Sequence, residues 1–356
     1  MALVVLIAAG LWGLGAVMGA PHRMRWTLIF ILWLAVVALH LTLPADNPLR
    51  LATGESHEPW LLLGGMAALV LAYGTVLRRL RRRVEVNAAP PEAAQRGTFS
   101  EVELERYARH MVLREIGGPG QKRLKEARVL VVGAGGLGSP ALMYLAASGV
   151  GTLGIIDDDT VDLSNLQRQI IHSDARIHMP KVHSAADGIR EINPHVRVRP
   201  YARRLTEALA SELFADYDLI LDGTDNFETR YLANAAAHAR GLPLVSGALA
   251  QWEGQISVFD TRHDTPCYEC IFPEAPDPEL APSCAEAGVL SPLTGVIGAM
   301  MAAEAVKLIT GAGTPLRNEM LIYDALHGET RKFKLTRRAD CPVCGEKGER
   351  HEPAAE

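Results

Sequence analysis

The sequence predicts an α/β protein with a Rossmann-like, mostly parallel sheet carrying helices on both faces, preceded by transmembrane helices. Three observations carry that reading. Short apolar runs such as 129–132 and 152–156 end in turns rich in glycine or acid, as buried parallel strands do. Nearly uncharged apolar segments cover residues 2–20, 26–43 and 60–77. What remains of the 356 residues is ample for a single buried core.

Each apolar segment approaches the ~20 residues that cross a bilayer's hydrocarbon layer. A buried core helix is the competing reading of each. A signal peptide fits poorly, because no basic stretch precedes Ala2 and a second apolar segment follows at once. Arg23 and Arg25 lie in the first loop; the second sets Arg50 against Asp46, Glu55 and Glu58; Arg78, Arg79, Arg81, Arg82 and Arg83 follow the third segment. Since positive charge stays on the cytoplasmic side, three spans put the N-terminus outside an inner (cytoplasmic) membrane and the remainder in the cytoplasm. The arginine cluster suits anionic headgroups. Trp26 and Trp60 suit the interfacial belt, or are ordinary apolar residues of the helices. The expected organisation is an anchor over 1–83, an extended linker over 84–98 around Pro90-Pro91, a soluble domain over 99–346 and a frayed tail over 347–356.

The soluble domain opens with Ser100 and Glu103, spaced as a capping box for the helix EVELERYARHMVL. Tyr107, Met111 and Val112 are expected to share its buried face, while Arg106, Arg109 and Arg114 read as solvated. After the strand 129–132, Gly133, Gly135 and Gly138 give the GxGxxG spacing, with Gly136 between them. Glycines there let phosphate approach free backbone amides at a helix N-terminus. The next strand ends at Asp157, where an acid binds ribose hydroxyls. Glycines and Asp157 alone do not separate NAD from ATP, or either from a merely packed turn. Asn165, Arg168 and Gln169 follow within a dozen residues, then Lys181, and cations there suit a triphosphate. The strand DLILDG leads into Asp225 and Asn226, at the carboxyl edge where open parallel sheets bind ligands. A carboxylate there can hold magnesium; Asp222 is a second candidate, and capping the next helix is the plainer role.

In these blocks, RYARHMVL, GAGGLGSP, DDDTVDLSNLQRQ, LDGTDNFETR, EGQISVF, CYEC, CAEAGVLSPLTGVIG and CPVCG, the chain resembles the ThiF/MoeB/HesA family of ubiquitin-activating-enzyme-like adenylyltransferases, most closely the MoeB type, over about residues 99–346. The resemblance implies ATP-dependent adenylation of the C-terminal Gly-Gly carboxylate of a ubiquitin-like sulfur-carrier protein, with pyrophosphate released. It assigns ribose to Asp157, Mg2+ to Asp225 and phosphate charge to Arg168 and Lys181. Arg109 would reach a phosphate across a homodimer interface. There is no rhodanese-like extension in the domain, so a separate sulfur donor is expected.

Five cysteines sort by spacing. Cys267 with Cys270 and Cys341 with Cys344 form two CxxC pairs, and four thiolates suit a tetrahedral structural Zn2+. Two unrelated pairs of reduced thiols are the alternative. Cys284 follows a proline-rich stretch, 273–282, that reads as a crossover loop; the resemblance implies that a cysteine there can carry acyl, thioester or persulfide chemistry, and a packed small residue is the plainer reading. An NAD-dependent oxidoreductase and a non-catalytic membrane-tethered scaffold are the readings from other classes, and the thiamine-pathway carrier is the rival substrate within the family. A net charge of −5 makes no case for nucleic-acid binding.

Overall fold

The computed structural model describes residues 2–44, 46–54, 56–87, 99–275 and 287–345. It divides into two units, Met1–Ala94 and Gln95–Glu356.

Among the described residues the first unit holds four helices: α1 (Ala2–Val17), α2 (His22–Thr42), the short α3 (Pro48–Thr53) and α4 (Glu58–Asn87). Met24–Thr42 and Glu58–Val76 are long and apolar enough to cross a membrane. The first predicted span falls short: α1 has 16 residues, about 24 Å at the helical rise, against ~30 Å of hydrocarbon. The boundary at 83 also moves, because α4 continues to Asn87 through what was expected to be extended linker; residues 88–98 lie outside the described ones. Alanine-sized space matters between α2 and α4. A Cβ on Gly64 would stand 2.2 Å from the Trp33 indole, whose Nε1 donates to the Trp60 carbonyl at 2.9 Å. Trp60 is buried with Val4 and Val36 instead of standing free, whereas Trp26 is exposed.

In the second unit, the capping box forms as spaced: Ser100 Oγ accepts from the Glu103 amide and the Glu103 carboxylate accepts from the Ser100 amide, starting α5 (Glu101–Met111). Tyr107 is buried as expected, but Val112 falls just past the helix end and is exposed. Helix α6 (Gly117–Glu126) then leads into an eight-stranded sheet.

The strands are β1 (Arg128–Val132), β2 (Thr152–Ile156), β3 (Arg197–Tyr201), β4 (Leu219–Asp222), β5 (Leu244–Leu249), β6 (Glu253–Phe259), β7 (Glu319–Asp324) and β8 (Glu329–Lys334), in the order 3-2-1-4-5-6-7-8. β3 through β5 are parallel, and β6, β7 and β8 extend the sheet antiparallel. Helices α7 (Gly138–Ala147), α8 (Lys181–Ile192), α9 (Glu207–Leu213), α10 (Phe227–Ala239), α11 (Tyr268–Ile271) and α12 (Ser291–Thr310) complete it. Both faces are covered, which explains the unbroken apolar run of β1. Val129 and Val131 enter one core with α7, α8 and α12. Leu130 and Val132 enter the other, with α9 and α10.

Helix α12 is also apolar and long enough to span a membrane, but half of it is buried, against 17% for the α2 window and 6% for that of α4. It packs on α7, β5 and β6 as a core helix of the sheet.

Candidate active site

Sheet order reverses between β1 and β4, so the loops leaving their carboxyl ends diverge and open a crevice. A cleft of about 660 Å3 lies there. It gathers Gly133, Gly135, Gly136, Asp157, Arg168, Gln169, Lys181, Asp225 and Asn226, residues separated by as much as 93 positions, from Gly133 to Asn226.

Each glycine of the turn has a distinct reason to be one. Gly133 has φ +91°, a conformation that disfavours a side chain. Gly138 lies behind the cleft, and a Cβ on it would meet the Gly133 carbonyl oxygen at 1.9 Å. The amides of Gly135 and Gly136 have no hydrogen-bond partner among the described residues, which leaves them for an anion at the start of α7.

Asp157, just past β2, accepts from the Ala134 amide through Oδ2 at 2.8 Å and from the Asp159 amide through Oδ1 at 2.9 Å. Burial raises its pKa, opposed by the charge of Lys181. Lys181 is the first residue of α8 and almost wholly buried; its Nζ donates to Asp159 Oδ2 at 2.8 Å. Asp159 was not singled out from the sequence, although it is the third of three consecutive acids. Arg168 Nη2 and Gln169 Nε2 both donate to Asn165 Oδ1, at 2.9 and 3.2 Å. Asn165 therefore braces these side chains and does not itself line the cleft. Gln169 Oε1 is buried with no partner among the described residues, an acceptor open to a donor.

Past β4 the two aspartates part. Asp225 is exposed at the cleft and engages no described residue. Asp222 is fully committed: Oδ1 accepts from Thr224 Oγ1 at 2.7 Å, Oδ2 accepts from Ser246 Oγ at 3.1 Å, and buried Arg230 lies 3.4 Å away. Its candidacy for magnesium is thereby corrected. Arg230, at the end of the block LDGTDNFETR, was missed; it also donates to the carbonyls of Thr224 and Gly247 and so holds the loop that carries Asp225. Asn226 caps α10 through Oδ1, which accepts from the Thr229 amide at 2.9 Å, and lines the cleft as well.

Arg109 is exposed on α5 and does not line the cleft. Cys284 lies outside the described residues.

The other four cysteines converge across 74 positions of sequence: Cys267 and Cys341 Sγ stand 3.5 Å apart, Cys270 and Cys344 3.3 Å, all four buried and mutually within 4.8 Å. Bonds of about 2.3 Å to a tetrahedral zinc separate sulfurs by ~3.8 Å, so this donor set fits the ion. The Arg338 amide donates to Cys270 Sγ at 3.4 Å. Tyr268, between the first pair, turns into the cleft wall, and burial pushes its hydroxyl up to about 12.

The chain is 48% identical over 252 residues to the sulfur carrier protein adenylyltransferase of Thermus thermophilus, covering 70% of this chain and 93% of that one. It is 47% identical over 248 residues to the molybdopterin-synthase adenylyltransferase of Escherichia coli, covering 70% and 99%. The probable adenylyltransferase/sulfurtransferase MoeZ of Mycobacterium tuberculosis is 49% identical over 258 residues, and the match spans 65% of its length. The fold is shared with Escherichia coli MccB crystallised with ATP, at a TM-score of 0.59 and 22% identity, covering 67% of this chain and 74% of that one. The model of the ThiF family matches residues 107–343, most of the second unit, and the chain belongs to that family of adenylyltransferases.

Proposed function

We propose that the protein activates the C-terminal Gly-Gly carboxylate of a ubiquitin-like sulfur carrier, of the molybdopterin-synthase small-subunit type, by adenylating it with ATP. The observation that carries this reading is the single cleft in which the glycine turn, Asp157, Arg168, Lys181 and Asp225 meet. ATP matches its open valences: phosphate for the free amides of Gly135 and Gly136, and a hydroxyl or amino donor for Gln169 Oε1. The carrier carboxylate attacks the α-phosphate and pyrophosphate leaves. Negative charge grows on phosphate oxygens, where Arg168 and Lys181 stand to stabilise it, and Asp157 holds ribose. Asp225 would hold Mg2+, which supplies charge neutralisation at the phosphates.

Zn2+ at the four cysteines would clamp the C-terminal segment beside the sheet. Arg109, exposed on α5, would serve the cleft of a second copy in a homodimer. Cys284 would take the acyl group from the adenylate as a thioester, with AMP leaving, and a separate donor of hydrosulfide-level sulfur would then displace the thiol to give the thiocarboxylate. Helices α2 and α4 would anchor the chain in the inner membrane with residues 99–346 in the cytoplasm.

The test is ATP–pyrophosphate exchange by the full-length protein in detergent, with carriers ending in Gly-Gly added singly. Exchange that requires a molybdopterin-type carrier is expected. Exchange only with the thiamine-pathway carrier would move the substrate assignment, and none with any carrier would leave the scaffold reading.

A further inference from the structure

The face of the glycine turn away from the cleft holds a buried histidine that the reaction as drawn does not use. His172 is 7% exposed and sits at the end of the segment that carries Asn165, Arg168 and Gln169. Its Nε2 lies 2.9 Å from the Ala134 carbonyl oxygen and its Nδ1 2.9 Å from Ser184 Oγ. A carbonyl only accepts, so Nε2 carries the proton; in the neutral ring Nδ1 then accepts from the Ser184 hydroxyl. Burial lowers the ring's pKa, which favours the neutral ring.

Three ligand-bearing elements meet at that ring. Ala134 is the middle residue of the Gly133–Gly135 turn, and its amide is already held by Asp157. With the carbonyl held by His172, the peptide groups on both sides of Ala134 are fixed, which sets where the free amides of Gly135 and Gly136 stand. Ser184 lies one turn into α8 from Lys181. The backbone amide of His172 donates to the Gln169 carbonyl at 3.1 Å, tying the ring to the Arg168–Gln169 side of the cleft.

We propose that His172 is a positioning residue for nucleotide, locking the glycine turn, the Arg168 segment and the Lys181 helix into one phosphate cradle. The assignment rests on the ATP reading above and adds a residue to it. Loss of this hydrogen bond leaves the buried Ala134 carbonyl with only the longer contact from Ser139 Oγ, at 3.4 Å, and frees the turn to relax away from the geometry that suits phosphate.

The experiment uses the full-length protein in detergent and the variants H172L, H172Q and S184A. Affinity for Mg-ATP is measured by calorimetry without any carrier, with exchange kinetics and thermal midpoints alongside. H172L is expected to weaken ATP binding on the order of tenfold, with the KM for carrier unchanged. H172Q, whose amide N–H can reach the same carbonyl, is expected to recover most of the loss, and S184A to fall between. A histidine that merely fills space would lower the thermal midpoint while ATP affinity per folded molecule stayed put, and Gln would rescue no better than Leu. Either result overturns the proposal. Should H172L not fold, an S184A variant with wild-type ATP affinity overturns it equally. Wild-type protein with no affinity for ATP would sink the adenylation reading as well, whereas wild-type binding beside an unaltered H172L sinks this inference alone.

Discussion

Asp222 and Asp225 stand three residues apart after one strand and are held to opposite tasks. Asp225 is exposed and unengaged among the described residues, so Asp225→Asn is expected to lower exchange at least about a hundredfold through lost metal binding, with the thermal midpoint unmoved. Asp222→Asn takes the counter-charge from buried Arg230, and a loss of about 3 kcal/mol in urea unfolding is expected. Spacing alone preferred Asp225 as the magnesium candidate but could not reveal how Asp222 is engaged, because its charged partner Arg230 comes from α10. Asp260 makes a similar point about pH. Burial alone would push its carboxyl up, yet hydrogen bonds from Arg262 and Arg317 outweigh that and hold it below the ordinary carboxylate value. Its folded pKa is depressed, so its stabilisation is present above the unfolded value of about 3.9 and is lost as pH falls through the folded value. Asp260→Asn is therefore expected to cost about 2 kcal/mol at pH 7 and to flatten the acid limb of the stability curve, as urea midpoints across pH would show.

At the level of elements, what could be read in advance was whatever depends on local spacing. The capping box at Ser100, the glycine turn and the two CxxC pairs all formed where the residues indicated. What could not be read depends on packing at a distance. That α4 runs past residue 83 into the expected linker follows from a sequence, RRRVEVN, with no helix breaker before Pro90. That Val112 is exposed follows from α5 ending one residue earlier. The role of Gly138 needed the Gly133 carbonyl to arrive behind it, and the engagement of Lys181 needed Asp159. The cysteine cluster carries the element-scale prediction. Its pairs come from the segment after β6 and from the chain beyond β8, so one ion would close a long loop. Cys344→Ser is expected to drop bound zinc from one per chain toward none by atomic-emission analysis and to expose 335–345 to protease, with nucleotide affinity reduced less than stability, since the cysteines meet the cleft wall through Tyr268 and Ile271 without lining it themselves. Unchanged zinc content in that variant would remove the clamp.

At the scale of the whole molecule, the number of spans sets the side on which the N-terminus lies. Two spans, α2 and α4, return the chain to its starting side; a third at α1 reverses the N-terminus alone. Basic residues cannot decide between these, because both schemes put Arg23, Arg25 and the arginines after residue 77 on one side and the acidic second loop, with Asp46, Glu55 and Glu58, on the other. Length does discriminate. Sixteen helical residues in α1 fall about 6 Å short of the ~30 Å hydrocarbon layer, while the 19-residue windows of α2 and α4 nearly match it. The polar groups that the first span would have to carry are few, so the penalty is one of mismatch, fractions of a kcal/mol per Å, and a thinned bilayer could meet it. The expected outcome is nonetheless two spans. An epitope at residue 1 should then be protected from protease added outside spheroplasts, a reporter inserted in the 43–57 loop should be cleaved, and the C-terminus should be protected together with the N-terminus. Cleavage at residue 1 with the other two results unchanged would show that α1 crosses after all; cleavage at the C-terminus would place the ATP cleft away from its nucleotide and overturn the cytoplasmic assignment itself.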